Sequence, residues 1–198
     1  MVRQHWIPSS TAITLLTGAL VLQGAHPAQA DSKITIEPLH VVATGAMAPG
    51  TGSILVRKNT GVGATWHAFG LVPGYVYTAW LGVFNNPKRC ATSPCTPADF
   101  ANPAVQGSVI YGSGQIAGDD GSVDFTVFRA VGDTTGVVPG IGTGMGVLNA
   151  KRAEIHLVVR THGPADADPA VLQEQLTTFN GGCPPNTCVN VQAAPHQP

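Results

Sequence analysis

One segment near the C-terminus of the sequence carries the side chains best suited to chemistry. Residues 153–162 alternate apolar residues with polar ones, and the polar set includes Glu154, His156, Arg160 and His162. Because successive side chains of a β-strand point to opposite faces, these four residues share one face and the other face is apolar. A carboxylate, two imidazoles and a guanidinium on one face could bind a small molecule or hold a metal ion.

Two hypotheses account for this polar face. In the first, it is a solvated outer face on which Glu154 pairs with Arg160 and no ligand binds, as in a half-buried antiparallel strand. In the second, it is the floor of a site that holds a small ligand or a copper or zinc ion, with His156 and His162 as the metal ligands. Neighbours i and i+2 lie about 6.5–7 Å apart, so these histidines share one metal ion only if the strand ends, for example at Gly163.

Residues elsewhere in the chain could complete such a site. His67 and His196 are further potential ligands, and Trp80 is one of several aromatic residues that could line a pocket. The sequence contains no His-Glu-x-x-His zinc motif, and no Gly-x-Ser-x-Gly hydrolase motif. Any site would therefore have to be assembled by the fold.

The four cysteines form two pairs with the same spacing, Cys90 with Cys95 and Cys183 with Cys188. In an oxidising compartment an even number of cysteines indicates disulfides, and three connectivities are open. Prolines in both loops favour pairing within each local pair, because they bend the chain back. The alternative is a structural zinc ion held by the four thiolates. A Phe-Asn dipeptide lies shortly before each pair.

The N-terminus predicts export. Arg3 precedes an apolar run of about 11 residues at 12–22, which is too short to span a bilayer but typical of a signal peptide. Ala28 and Ala30 form a small-x-small cleavage site. We therefore predict that 1–30 is a signal peptide and that 31–198 is one domain, located in the periplasm or outside the cell, with no membrane span.

The charge of the chain argues against a nucleic-acid partner. The formal net charge is −1, and only 11% of the residues are charged. Lys and Arg occur in no cluster larger than a pair, so the basic patch that binds phosphates is missing. A protein or a small molecule is the partner that we expect.

The composition predicts the fold class. Glycines (24) and prolines (16) separate short segments rich in Val, Ile, Thr and aromatic residues, the pattern of an all-β protein. We predict an antiparallel sandwich or flattened barrel of about eight strands: 33–42, 52–58, 64–71, 75–84, 106–117, 122–130, 152–161 and 188–194. The turns at 72–74 and 119–121 predict hairpins, and the glycine-rich segment 132–146 predicts an irregular loop. One accessory helix is expected at 168–178, with Asp168 as N-cap and Pro169 as the first helical residue. Its expected buried residues are Val171, Leu172 and Leu176.

Four segments carry a resemblance to known proteins: 70–80, 84–90, 153–164 and 179–183. They look like a group of exported bacterial all-β proteins of unknown function, and more distantly like sandwich domains of the chordin-repeat and copper–zinc superoxide dismutase type. The dismutase histidine pair has no match, because Tyr77 and Thr78 stand in that region. The resemblance implies a sandwich and no activity. A non-catalytic exported binding or structural module is the leading hypothesis, and the alternative is an enzyme that uses the polar face of 153–162.

Overall fold

Two antiparallel β-sheets packed face to face make up the fold. The computed structural model describes residues 32–183 and 188–198. The predicted all-β antiparallel fold is confirmed, and of its two predicted forms the structure has the sandwich, because the sheets of four and six strands do not close into a barrel. The predicted signal peptide at residues 1–30 lies outside the described residues.

The strand order places the polar strand near the middle of the larger sheet. The smaller sheet has the order β1-β3-β4-β7 and the larger one β2-β10-β9-β5-β6-β8. The elements are β1 (Lys33–Glu37), β2 (His40–Val41), β3 (Gly52–Lys58), β4 (Gly61–Ala68), β5 (Tyr75–Phe84), β6 (Gly107–Ile116), β7 (Val123–Ala130), β8 (Val137–Gly142), β9 (Glu154–Pro164), α1 (Pro169–Thr177) and β10 (Val189–His196), with 3₁₀ helices at Pro87–Arg89, Pro97–Ala101 and Pro103–Val105.

The hydrophobic core lies between the two sheets. Strand β3 contributes Leu55 and strand β9 contributes Ile155, Leu157 and Val159, all fully buried in one apolar cluster. Burial of each large apolar side chain stabilises the fold by about 1.5–3 kcal/mol. Because side chains alternate, the inward direction of these β9 residues fixes the polar side chains of β9 on the outer face of the larger sheet.

The two tight turns join strands of different sheets, so the prediction of two hairpins is wrong. Strands β4 and β7 belong to the smaller sheet, and strands β5 and β6 belong to the larger one. The turns run side by side: Leu71 N–H donates to Gly121 O and Gly74 N–H donates to Ala117 O, each at 3.0 Å. A side chain at Gly121 would overlap the Leu71 carbonyl. Turn residues therefore marked the chain reversals correctly but not the strand partners.

The glycine-rich segment 132–146 contains strand β8, which corrects the prediction of an irregular loop. Strand β8 pairs with β6 at the edge of the larger sheet. Gly142 has a φ of +67°, and a side chain there would overlap the Gly107 carbonyl. Glycine thus permits the close backbone approach that pairs this strand, whereas the sequence pattern suggested only flexibility.

Helix α1 begins as predicted. The carboxylate of Asp168 accepts from the N–H of Ala170 at 2.9 Å, and Pro169 is the first helical residue. Asp and Pro at these two positions are typical of a helix start, because the carboxylate satisfies an N–H that has no partner within the helix.

The buried residue of α1 differs from the prediction. Val171, Leu172 and Leu176 are only half-buried, whereas Gln175 is almost completely buried. Its amide donates to the carbonyls of His162 and Pro164, at 3.3 and 2.9 Å. The helix is therefore held to the end of β9 by polar contacts as well as by apolar ones.

Two segments lie over the outer face of the larger sheet. We call residues 85–106 the first cover and residues 165–183 the second cover. Disulfides connect Cys90 with Cys95 and Cys183 with Cys188, which confirms local pairing. No helix in the described part of the chain has the length and apolar character needed to cross a membrane.

Candidate functional site

The polar face of β9 is buried. Glu154, His156, Arg160 and His162 do share the outer face, as the alternation predicts. Glu154 is 2% exposed, Arg160 9% and His162 0%, so the hypothesis of a solvated face is wrong. The predicted pair of Glu154 with Arg160 does not form either, because the two residues lie about 20 Å apart along an extended strand.

The first cover seals one end of this face. The backbone N–H of Cys95 donates to Glu154 Oε1 at 2.7 Å, and the same oxygen lies 2.7 Å from His156 Nε2. A carboxylate only accepts, so in the neutral form of the His156 ring Nε2 carries the proton and Nδ1 offers a lone pair. Nδ1 makes no hydrogen bond to any described residue. The Glu154–His156 pair thus presents one oriented hydrogen-bond acceptor, His156 Nδ1.

Arg160 anchors the second cover to the sheet. Its guanidinium donates to the Phe179 carbonyl at 2.8 Å, to Asn190 Oδ1 at 2.9 Å and to Asn180 Oδ1 at 2.7 Å. The same group lies 4.2 Å from the centre of the Phe179 ring, a cation–π contact. Burial lowers the pKa of Arg160. Arg160 therefore positions the cover, and its donors are directed at protein groups.

His162 forms the end of a hydrogen-bonded chain. The carbonyl of Gly181 lies 3.0 Å from Nδ1 and can only accept, so Nδ1 carries the proton and Nε2 accepts from the Thr78 hydroxyl at 2.9 Å. Thr78 Oγ1 in turn accepts from Trp80 Nε1 at 2.7 Å. Burial lowers the pKa of His162, and the charge of Arg160 acts in the same direction. The ring is held neutral in one tautomer.

A cavity of about 260 Å³ lies between the two covers and the sheet. Most of its wall is aromatic or aliphatic, and among the described residues that line it His156 is the one that is ionisable. The lining residues are Trp80, Gly82, Phe84, Pro97, Phe100, Val109, Ile141, His156, Val158, Phe179 and Asn190.

The cavity continues on the other side of His156. A second depression of about 390 Å³ runs towards β2, and it shares Pro97, His156, Val158 and Asn190 with the first. Together the two depressions form one groove across the outer face of β9. Asn190 Oδ1 is occupied by Arg160, so its Nδ2 remains to donate. Where the two depressions meet, His156 therefore offers an acceptor and Asn190 a donor, and the second depression adds the polar side chains of His40 and Thr96.

The floor of the cavity exists because Gly82 has no side chain. Gly82 lies on the central strand β5, opposite His156 on β9. A Cβ at Gly82 would lie 3.5 Å from both His156 Cβ and Phe100 Cζ, which is ordinary van der Waals contact. The backbone at Gly82 therefore accepts a Cβ, and because Gly82 lines the cavity, a larger aliphatic side chain there would take up part of its volume.

The remaining residues predicted for the site lie apart from one another. His67, whose side chain is 41% exposed, pairs with Asp124 at 2.8 Å on the smaller sheet. His196 points between the sheets, where its Nε2 lies 2.9 Å from Ser53 Oγ. Trp80 does line the cavity. The structure thus places His67 and His196 outside the groove.

His156 and His162 do not share a metal site. Strand β9 continues through Pro164, so no bend brings the two rings together, and each has its own partners. Among the described residues, the group whose ligand atoms lie within 4.8 Å of one another is His162, Cys183 and Cys188.

No protein-family model matches this chain, and neither does any curated protein or solved structure. The resemblance noted above stays a prediction. The function has to be inferred from the geometry of this molecule.

The sequence pattern missed most of the cavity wall. Phe84 and Phe179, the aromatic residues of the two Phe-Asn dipeptides, both line it. Their shared position before a cysteine pair was a usable signal, because each follows closely on the end of a regular element, strand β5 at Phe84 and helix α1 at Thr177. Phe100, Ile141 and Gly82 gave no signal, since their meeting depends on how loops fold over the sheet.

Proposed function

We propose that this protein is an exported, non-catalytic binding module that holds a small aromatic molecule bearing a hydroxyl or N–H group. The observation that carries the proposal is the aromatic cavity with one oriented imidazole in its wall. An engineered apolar cavity of about 150 Å³ is large enough for benzene. A cavity of about 260 Å³ therefore has room for a substituted ring, and the second depression of the groove has room for its substituent.

The polar groups of the groove select the chemistry of the ligand. Glu154 occupies His156 Nε2, so the Nδ1 lone pair is left to accept a hydrogen bond from a ligand hydroxyl or N–H. A purely apolar ligand would leave this acceptor without a partner, which costs about 1–3 kcal/mol when the acceptor is buried. A phenol-like molecule satisfies both the apolar wall and the acceptor.

Export is part of the proposal. Two disulfides are typical of proteins that fold in an oxidising compartment, and the first 30 residues have the pattern of a signal peptide. A binding site between two disulfide-closed covers also suits a protein that must keep its shape without a cytoplasmic environment.

A second candidate function is acid–base catalysis by the Glu154–His156 pair. A carboxylate that orients an imidazole is the arrangement in which histidine acts as a general base. The binding function is better supported, because the other ten lining residues of the cavity are apolar side chains, glycine or asparagine. A proton abstracted by His156 would meet no second ionisable residue among the described residues of that wall.

The experiment compares two probes and two valine variants. p-Cresol and toluene share one ring, but only p-cresol donates a hydrogen bond. Gly82→Val takes up part of the cavity, and Gly63→Val is its matched control because Gly63 lies on the outer face of β4, where a Cβ would lie 3.9 Å from the Phe128 ring. Melting temperature and calorimetric affinity are measured for each combination.

We expect p-cresol to bind the native protein and the Gly63→Val variant, and to bind Gly82→Val at least tenfold more weakly. A ligand at 100 times its Kd adds about 2.7 kcal/mol to the free energy of unfolding, which raises Tm by several degrees. Toluene should bind more weakly than p-cresol. Equal binding of p-cresol to both valine variants would refute the proposal.

A further inference from the structure

The second cysteine pair lies against a histidine, and the first does not. His162 Nδ1 is 3.2 Å from Cys188 Sγ and 3.5 Å from Cys183 Sγ. The first pair packs instead against apolar residues, and Cys95 belongs to a cluster with Phe84 and Val105. A disulfide that only closes a loop needs no imidazole beside it.

The three residues have the composition of a metal site. Their ligand atoms, two sulfurs and one imidazole nitrogen, all lie within 4.8 Å of one another. Thiolate and imidazole ligands favour soft d¹⁰ ions such as Zn²⁺ and Cu⁺. His162 is fully buried and the two cysteines are half-buried, so a bound ion would be enclosed yet reachable from the cysteine side.

The surroundings of His162 fit coordination through Nδ1. Metal binding displaces the Nδ1 proton, and the ring then carries its proton on Nε2, which lies 2.9 Å from Thr78 Oγ1. A hydroxyl oxygen can accept as well as donate, so this contact survives the change of tautomer. Metal-bound histidines commonly have such a hydrogen bond on the second ring nitrogen. The Gly181 carbonyl, released from Nδ1, becomes a further oxygen ligand close to the ion.

We propose that Cys183, Cys188 and His162 form a reduction-dependent site for a soft d¹⁰ metal ion, and that the disulfide is the metal-free, oxidised form of this site. A dithiol supplies the two electrons and two protons that convert the disulfide into two thiols, and the dithiol becomes a disulfide. The metal ion then replaces the two thiol protons. The site responds to both the redox state and the metal content of the compartment.

Matched double variants isolate the two cysteine pairs for the test. Cys90→Ser with Cys95→Ser keeps the proposed site, and Cys183→Ser with Cys188→Ser removes it, so each variant loses one disulfide of identical spacing. Both are treated with a phosphine, which reduces the disulfide and becomes the phosphine oxide with an oxygen atom from water. Cd²⁺ is the probe, because sulfur-to-cadmium charge transfer absorbs in the ultraviolet.

We expect the reduced Cys90→Ser/Cys95→Ser protein to bind one Cd²⁺ per chain and its oxidised form to bind none. Adding His162→Asn, which retains an amide donor towards Gly181, should weaken Cd²⁺ binding more than Thr78→Val does. Loss of the Thr78 hydrogen bond alone should cost about 10–100-fold in affinity. Absence of Cd²⁺ binding by the reduced protein, or equal affinity after His162→Asn, would overturn the proposal.

A measurement on the unmodified protein covers the case in which a variant fails to fold. The reduced native chain, with ¹⁵N-labelled histidine, is titrated with Cd²⁺ while the imidazole nitrogens are followed by NMR. Coordination should shift the Nδ1 resonance of His162. A resonance that stays in place while Cd²⁺ binds elsewhere would overturn the proposal as well.

Discussion

Each face of the larger sheet buries a polar cluster, and the two clusters differ in what surrounds them. On the inner face, Arg57 donates to the carbonyls of Ala153 and His196, and the His196 ring bonds to Thr35 and Ser53. This cluster links β1 and β3 to β10 within the core. On the outer face, the polar side chains of β9 hold two covers in place and border an aromatic cavity.

The difference lies in the spare hydrogen-bonding capacity of the histidine in each cluster. Both ring nitrogens of His196 have hydroxyl partners, whereas His156 has one partner and an Nδ1 that faces no described donor. Full burial of a histidine is therefore no sign of function by itself. An imidazole with one nitrogen held by a carboxylate and open volume beside it is the arrangement that a ligand can use.

The largest effect that we expect is a loss of stability at acidic pH, caused by His196 in the inner cluster. Burial, together with the charge of Arg57, lowers the pKa of His196 to about 4. The unfolded chain then binds more protons than the native one between that value and about 6.5, so the free energy of unfolding decreases as the pH is lowered through this window. The decrease from pH 6.5 to pH 4 is about 3 kcal/mol, and the full stability is present above about pH 6.5.

Urea unfolding at pH 7 and pH 4 measures this loss, and the variant His196→Gln should show a smaller difference between the two pH values. An unchanged difference in His196→Gln would mean that the inner cluster does not set the acid sensitivity.

The second-largest effect that we expect is a loss of stability in the first cover that leaves the second cover unchanged. Glu154→Leu removes the acceptor of the buried Cys95 N–H and the partner of His156, which should cost about 2 kcal/mol of unfolding free energy. Hydrogen exchange should accelerate in the first cover and stay unchanged in the second. Glu154→Gln keeps an acceptor oxygen and should cost less. Equal acceleration in both covers would show that they open together.

The smallest effect concerns the second cover alone. Tyr111 donates from its hydroxyl to the Leu176 carbonyl at 2.7 Å. Tyr111→Phe removes this hydrogen bond and should cost about 1 kcal/mol. Amides of α1 should exchange faster while those of the first cover do not. Slower or unchanged exchange in α1 would contradict the role given to Tyr111.

The sequence predicted the elements better than their arrangement. The bounds of β3 and β5 agree with the prediction to the residue, because turn residues flank both strands. The start of α1 was predicted from Asp168 and Pro169, whose physical role is local. Strand β8 was missed, since pairing at the sheet edge overrides the low strand preference of glycine.

The site could be predicted only in part. The alternation of β9 placed its polar side chains on one face correctly, but the same pattern arises whether that face meets water or a polar cover. Burial of Glu154 and His162 depends on contacts with the two covers. The cysteine pairs and the pattern of α1 in these segments do not indicate where on the sheet the segments pack. The cavity arises where those segments fail to fill the space above Gly82.

The most direct test of the binding site follows the His156 ring itself. Imidazole ¹⁵N spectra of the native protein are recorded with and without p-cresol. The proposed function predicts that the Nδ1 resonance of His156 shifts on binding while Nε2 keeps its proton and its contact with Glu154. A bound p-cresol that leaves His156 Nδ1 unchanged would contradict the assignment of this cavity as the binding site.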